Sequence, residues 1–291
     1  MGMKDAIPII FAATLLEEIK NLLVFGKVAF KKHSGEIKEK GDRIKLKGYG
    51  GVDIDDYAPE SAAWVSTHPN GITYQDVQAA AMFLDVDHAK DYGIKLHDIT
   101  ELQSDPAARV HYAKETAYGL VREVDIFLAG LYTQSALGTH VLKHSAMTTA
   151  LITSYIGELW DALSGVNIEK KFITIPPWVA LKLLLAGVIH ADDLKGELKN
   201  GFIGRVLQFD MFMSNNTPAL APVTAGYKRN IIMAGSYQAI AFVDQMTEAE
   251  SLRSQGWFAD LVRGLHVWGG RVVKPKELFY LDLEFAPETT I

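Results

Sequence analysis

Leu84-Asp-Val-Asp-His-Ala-Lys-Asp-Tyr-Gly-Ile-Lys-Leu-His-Asp-Ile-Thr-Glu-Leu-Gln-Ser104 runs without a break into Asp105-Pro-Ala-Ala-Arg-Val110. Its first half alternates. Leu84 and Val86 stand against Asp85 and Asp87, then Tyr92, Ile94 and Leu96 against Gly93, Lys95 and His97. A period of two predicts strands with one buried face. At the far end a helix begins: Asp105 suits an N-cap and Pro106 the first helical position. Beyond it Val110, Ala113, Ala117, Leu120, Val124, Phe127 and Leu131 recur at alternating spacings of 3 and 4. That stripe predicts a helix of about 28 residues, roughly 40 Å at 1.5 Å per residue. Such a helix is a spine for a flat or elongated body. The alanines and the few heptads make a coiled coil the weaker reading.

Upstream, residues 43–47 (Arg-Ile-Lys-Leu-Lys) alternate as well. About 35 residues rich in Gly, Asp, Ser, Pro and Asn separate them from Leu84, too many for a compact hairpin turn. If the two strands pair antiparallel, Arg43, Lys45 and Lys47 oppose Asp85 and Asp87 and could form cross-strand ion pairs. The charge is blocked on a larger scale too. Residues 27–47 hold eight basic side chains and three acids, a net +5, and residues 53–101 hold ten acids and two lysines, a net −8. A basic stretch followed by an acidic one can pair within a hairpin or between molecules, or form two solvated faces. Residues 9–24 read as an amphipathic helix with Phe11, Leu15, Ile19, Leu22 and Leu23 on one side, Pro8 at its first turn and Gly26 at its end. It docks either on its own core or, as an arm, on a neighbour.

The second half mixes short elements. A helix is predicted over 148–163, with Leu151, Tyr155, Leu159 and Ala162 on one face. A strand follows at 172–175, and Pro176-Pro177 opens a helix that stops near Gly187. Leu207, Phe209, Met211 and Met213 line one face of a strand; residues 231–243 hold one or two more, interrupted at Gly235. The last strand sets Phe279, Leu281, Leu283 and Phe285 against Tyr280, Asp282 and Glu284. This order is not the regular βαβ alternation of a parallel sheet, so the class is α+β.

Composition bounds the function. Of 291 residues, 48% are hydrophobic and 22% charged, as in globular proteins. The net charge of −6 disfavours a general nucleic-acid binder. The absence of cysteine removes disulfides, thiolate zinc sites and cysteine nucleophiles. The apolar run at the N-terminus meets Glu17, Glu18 and Lys20, and the run at 176–189 contains Lys182 and falls short of the ~20 residues that span a bilayer. The expectation is a soluble, intracellular chain without a membrane segment. No internal repeat or long linker is visible.

Catalytic motifs are scarce. His140 and His144 sit one helical turn apart, but no glutamate or third ligand accompanies them. Asp53, Asp55 and Asp56 lack the order of a calcium loop and read as a solvated acidic turn. Gly48, Gly50 and Gly51 make no phosphate-binding pattern, and no nucleophile elbow exists. Asn215-Asn216-Thr217, before Pro218, reads as a turn. Trp64, Trp160, Trp178, Trp257 and Trp268 are dispersed and read as core or interface anchors. No cofactor or metal is expected. Segments that leave the globule are what a subunit needs to grip neighbours, so an interaction protein gains on an enzyme.

Four stretches together resemble the major capsid proteins of tailed double-stranded DNA phages with the Hong Kong 97-type fold. They are 84–104 running into Val121-Arg-Glu-Val-Asp-Ile-Phe-Leu128, then Ile175-Pro-Pro-Trp-Val-Ala-Leu-Lys-Leu-Leu184, Ile203-Gly-Arg-Val-Leu-Gln-Phe-Asp-Met-Phe-Met-Ser-Asn-Asn216 and Phe258-Ala-Asp-Leu-Val-Arg-Gly-Leu-His-Val-Trp-Gly-Gly-Arg-Val-Val-Lys-Pro275. Their order and spacing over about 190 residues carry the match. The subgroup it looks closest to assembles with a separate scaffolding protein; the arm helix starts within ten residues of Met1, which favours scaffolding supplied by another chain.

The resemblance implies a layout: an N-terminal arm at 1–35, an extended β-hairpin (the E-loop) at 36–100, a peripheral domain at 101–145 and 256–291 containing the spine helix, and an axial domain at 146–255. It implies a structural protein of the virion, assembled in the host cytoplasm, that self-assembles into pentamers and hexamers of an icosahedral head shell. Its partners would be copies of itself, a scaffolding protein, a portal protein and decoration proteins. It would enclose double-stranded DNA without sequence-specific binding and would engage no membrane. The expected contacts between subunits are Phe11, Leu15, Ile19 and Leu22 of the arm, and Arg43, Lys45, Lys47, Asp85 and Asp87 of the E-loop. Two other readings stand beside this one. One is an enzyme using His140, His144 or Asp53–Asp56; the other is an oligomeric DNA-binding protein using the lysines of 27–47.

Overall fold

Pro106, with its φ already helical and no N–H to lose, starts the longest helix among the described residues. The computed structural model of the protein describes residues 15, 22–31, 41–49, 56–68, 79–97, 106–135, 141–144, 149–164, 170–185, 187–189, 201–257 and 259–285. In chain order the helices are α1 (Phe25–Val28), α2 (Ala62–Thr67), α3 (Pro106–Gly130, tightening into a 3-10 turn at Leu131–Gln134), α4 (Thr149–Ala162) and α5 (Pro177–Leu185). The strands are β1 (Arg43–Tyr49), β2 (Ala79–Asp85), β3 (His88–His97), β4 (Val141–His144), β5 (Lys171–Ile175), β6 (Phe202–Val206), β7 (Phe209–Met213), β8 (Ala219–Leu220), β9 (Lys228–Ser236), β10 (Ile240–Arg253), β11 (Ala259–Val272) and β12 (Leu278–Phe285).

They form three sheets. The largest has the order β4-β12-β9-β5-β7-β6, with β8 also pairing β9. Its β12–β4 and β5–β7 pairs are parallel and the rest antiparallel. The second sheet is antiparallel, β10-β11-β3, and the third is the pair β1-β2. The mixture of helices with largely antiparallel sheets is the α+β class expected from the order of elements.

Three apolar clusters hold these parts. The stripe of α3 (Ala113, Ala117, Leu120, Val124, Leu128) packs with Leu23, Phe25 and Val28 and with Phe242, Val262 and Trp268 of the three-stranded sheet. Tyr155 and Leu159 of α4 and Val179 and Leu183 of α5 join Ile173, Phe209, Met211, Ile232 and Leu281 of the large sheet. A small third cluster sits under β1 and β2. The alternation that predicted the final strand is present, but its polar side is not exposed. Asp282 is 4% exposed and Glu284 fully buried. Arg229 binds Asp282 with two nitrogens, at 2.8 and 2.5 Å, and Glu284 accepts the N–H groups of Val223 and Thr224. Buried charge is tolerated when every oxygen has a donor.

Three local expectations are corrected. β2 ends at Asp85, so Val86 and Asp87 form the connection to β3. Leu207 is not on the strand face with Phe209. It and Gln208 form the turn between β6 and β7 at φ of 48° and 73°, a left-handed pair usually announced by Asn or Gly. The interruption in 231–243 falls at 237–239, while Gly235 lies inside β9, where a Cβ would come within 2.7 Å of the Glu277 carbonyl oxygen. Strand β10 pairs along its length with β11, and β12 belongs to the large sheet through β9.

Candidate functional site

The two-stranded sheet gathers the charged residues singled out in the sequence. Its register sets Arg43 opposite Asp85, Lys45 opposite Phe83 and Lys47 opposite Ala81. Alternation sends Ile44, Leu46 and Leu84 inward, where with Val86 they meet Ala241, Val243 and Val267. The opposite face, with Arg43, Lys45, Phe83 and Asp85, is exposed. One of the expected cross-strand ion pairs forms: Arg43 Nε lies 2.5 Å from Asp85 Oδ1, with both side chains more than half exposed. The Arg43 guanidinium also lies 5.3 Å from the Phe83 ring centroid. A pair so exposed contributes little to stability. Asp87 is beyond the strand and faces His88 Nε2 at 3.3 Å. Lys45 has an aromatic ring opposite it rather than an acid, so this face carries surplus positive charge.

The base of this sheet is closed by two backbone bonds of its own and fixed to the body by Arg271. Gly41 N–H donates to Val86 O at 2.8 Å, Val86 N–H to Asp42 O at 3.0 Å, and Arg271 Nη1 to Phe83 O at 2.7 Å. Where β2 crosses β11, Gly269 is required: a Cβ there would lie 3.0 Å from Val86 Cα and closer still to the Asp85 carbonyl. Of the segment beyond the strands, α2 is exposed, with Trp64 stacked on His68 at 4.6 Å between centroids.

Of the four N-terminal residues expected at a contact with a neighbour, two are described. Leu15 is fully buried in its own chain, in the same cluster as α3, and Leu22 packs against that cluster. A side chain so placed offers no surface to another molecule. Phe11 and Ile19 lie outside the described residues. Residues 24–26 are held by Asp125 of α3, which is 1% exposed. Its two oxygens accept the N–H groups of Val24 at 3.2 Å and Phe25 at 3.0 Å. Desolvation pushes this carboxyl up to about 6 against the opposing pull of the Val24 and Phe25 N–H groups, the Asn216 side chain and the Gly26 N–H. Sequence reading missed Asp125, although an acid on the apolar face of Val121, Val124 and Leu128 was a visible signal. Farther on, Phe30 bridges to Ala241, and Lys31 Nζ lies 3.8 Å from Asp244 Oδ1.

The candidates for chemistry do not converge. His140, Asp53 and Asp55 lie outside the described residues, His144 is on β4, and Asp56 is exposed. Among the described residues no group of three His, Asp or Glu could hold a metal ion, and no helix is long and apolar enough to cross a membrane. The most perturbed hydroxyl is that of Tyr237, pushed up by burial and by its hydrogen bond to Asp210. Asp210 also accepts from Arg205 Nε at 2.7 Å. That triad ties β6 and β7 to the turn between β9 and β10. The tryptophans divide: Trp268 is buried, while Trp257 is 65% exposed with Lys95 Nζ 4.0 Å from its centroid. Trp257 stands at the β10–β11 turn, next to a groove of about 640 Å³ across the outer face of β3 and β11 lined by Lys95, Glu250, Leu261, Arg263 and Leu265. Asn215, Asn216 and Thr217 form the expected turn.

No family model matches the chain, and no curated protein matches its sequence. Solved structures do match its fold. A structure of Mycobacterium phage Che8 superposes with a TM-score of 0.65 at 20% identity, covering 89% of this chain and 90% of that one. The capsid of cyanophage P-SCSP1u gives 0.64 at 16% identity, with 90% and 88% covered. A virus-like particle from Pyrococcus furiosus gives 0.57 at 12% identity, with 92% and 96% covered. The likeness thus extends over nearly the whole of each chain, and the protein has the Hong Kong 97-like capsid fold.

Proposed function

We propose that this chain is the major capsid protein of a tailed double-stranded DNA phage, and that its function is assembly. The observation that carries the reading is an end-to-end match of fold to capsid shells, about 90% of both chains for the cyanophage capsid. Head-to-tail contacts between copies close into rings of five and six, and rings join into an icosahedral shell around the genome. The exposed basic face of β1–β2 with Arg43 and Lys45 reaches acidic groups on the adjacent subunit, with Asp85 and Asp87 as the contrasting edge. Each contact of this kind is weak, which leaves assembly reversible enough to correct errors. Net charge −6 suits a container that holds DNA without gripping its phosphates.

In this reading the arm is 1–35, the E-loop 36–100, the peripheral domain 101–145 with 256–291, built around α3, and the axial domain 146–255. The chain performs no catalysis, resides in the virion after assembly in the host cytoplasm, and meets scaffolding, portal and decoration proteins. Size-exclusion chromatography and electron microscopy of the purified chain, alone and under crowding, test it. Rings or closed shells are expected. A strictly monomeric protein under every condition, turning over a small molecule, ends the reading.

A further inference from the structure

The root of the N-terminal segment, residues 22–31, is tied to the rest of the chain at two ends. At the far end Phe30 N–H donates to Ile240 O at 2.8 Å, and Phe30 O accepts from Phe242 N–H at 3.0 Å. At the near end the segment turns into α1, whose first N–H groups have no partner within a helix of four residues. Asp125, a hundred residues away in sequence, supplies one. It takes the N–H groups of residues 24–26 and also the side chain of Asn216 from the turn after β7, so one carboxyl joins three separate parts of the fold.

We propose that Asp125 is a proton-operated latch: it clamps residues 24–26 to the long helix, and its protonation state sets how firmly they are held. The physical basis is the contrast between the two sites the carboxyl can occupy. Docked, it is 1% exposed and desolvated; with the segment lifted away, it meets water. Burial penalises the charged form more than the donors compensate. The docked group therefore holds its proton up to about 6, against an ordinary value of 3.8. A proton-binding preference for the docked state means that docking is strongest below 3.8 and weakens as pH rises through about 6.

The charged groups around it do not supply the same response. Lys27, the charged residue of 22–28, is exposed, as are Arg122 and Glu123 on the neighbouring turn of the helix. Among the described residues none of them ion-pairs with Asp125. At the far end Lys31 faces Asp244, which His266 Nε2 also approaches at 3.9 Å. That is a second titratable contact, and the test must separate it from the first.

Hydrogen–deuterium exchange of the full-length chain, with rates corrected for intrinsic pH dependence, reads the latch directly. Protection of residues 22–31 is expected to be about tenfold greater at about pH 5 than at about pH 8, the shift that linkage gives for these two pKa values. Asp125→Asn, which cannot ionise, is expected to make the protection of 22–31 the same at both pH values. Wild-type protection that does not change with pH overturns the proposal. So does an Asp125→Asn protein that keeps the wild-type pH dependence, which would assign the response to His266 and Asp244. The experiment reads the single chain, so its outcome is independent of whether the protein forms shells.

Discussion

In the seven-stranded sheet the polar side chains that reach the interior are answered within the chain. Glu284 is fully buried and accepts two backbone N–H groups, Arg229 grips Asp282 with two nitrogens, and the Thr174 hydroxyl donates to Met233 O at 3.1 Å. The two-stranded sheet is built the other way. One side is a thin apolar layer of Ile44, Leu46 and Leu84, and the other leaves Arg43, Lys45 and Phe83 in solvent. The first region is complete in a single molecule. The second closes one exposed ion pair, Arg43–Asp85, and sets Lys45 opposite the Phe83 ring. Under the proposed assembly, that contrast separates the part that makes a subunit from the part that would make contact.

Substitutions can break the contrast. The largest effect is expected for Asp282→Ala, which leaves the Arg229 guanidinium unpaired at a largely buried site. A loss of about 4 kcal/mol in chemical denaturation is expected, with failure to accumulate folded protein. Leu84→Ala empties a fully buried site under the hairpin and should cost about 3 kcal/mol. Limited proteolysis should then cut within 41–97 before the large sheet opens. If the large sheet unfolds at the same time, the two regions are one cooperative unit and the contrast fails. Gly269→Ala forces β2 away from β11 and should cost about 2 kcal/mol, measured by thermal unfolding. The smallest effect on the fold is expected for Arg43→Glu combined with Lys45→Glu, within about 1 kcal/mol, because both side chains are exposed. The same double substitution should abolish or strongly slow shell formation, followed by light scattering. Normal shells from this variant would remove the charged face from the assembly contacts.

Much of the fold was legible because its signals are local. Pro106 and the 3–4 stripe described α3, Pro176-Pro177 marked the start of α5, and strict alternation marked β1 and β12. Leu207-Gln208 was not legible, because a left-handed pair without Asn or Gly carries no sequence signature and the period-two pattern runs straight through it. Gly235 misled for a related reason: it was read as a break, whereas it permits the close passage of the 275–278 backbone. The candidate contact face was half legible. Residue types and charge blocks pointed to Arg43, Lys45 and Asp85, but the pairing register alone showed that Lys45 meets Phe83 and that one ion pair closes. Leu15 was read from the pattern as an apolar helix position, and nothing local distinguishes an own core from a neighbour's surface.

What the amino-acid sequence settled by itself was the kind of element along α3, α5, β1 and β12, the absence of cysteine chemistry and the uneven placement of charge. Each of these depends on residues a few places apart or on simple counts. What only the tertiary structure decided was which polar groups are buried with partners and which are left in water. Asp125 meets Val24 across 101 positions, and Glu284 meets Val223 across 61. The cost of burying a charge depends on donors brought together by the whole fold, so no short window of sequence contains it.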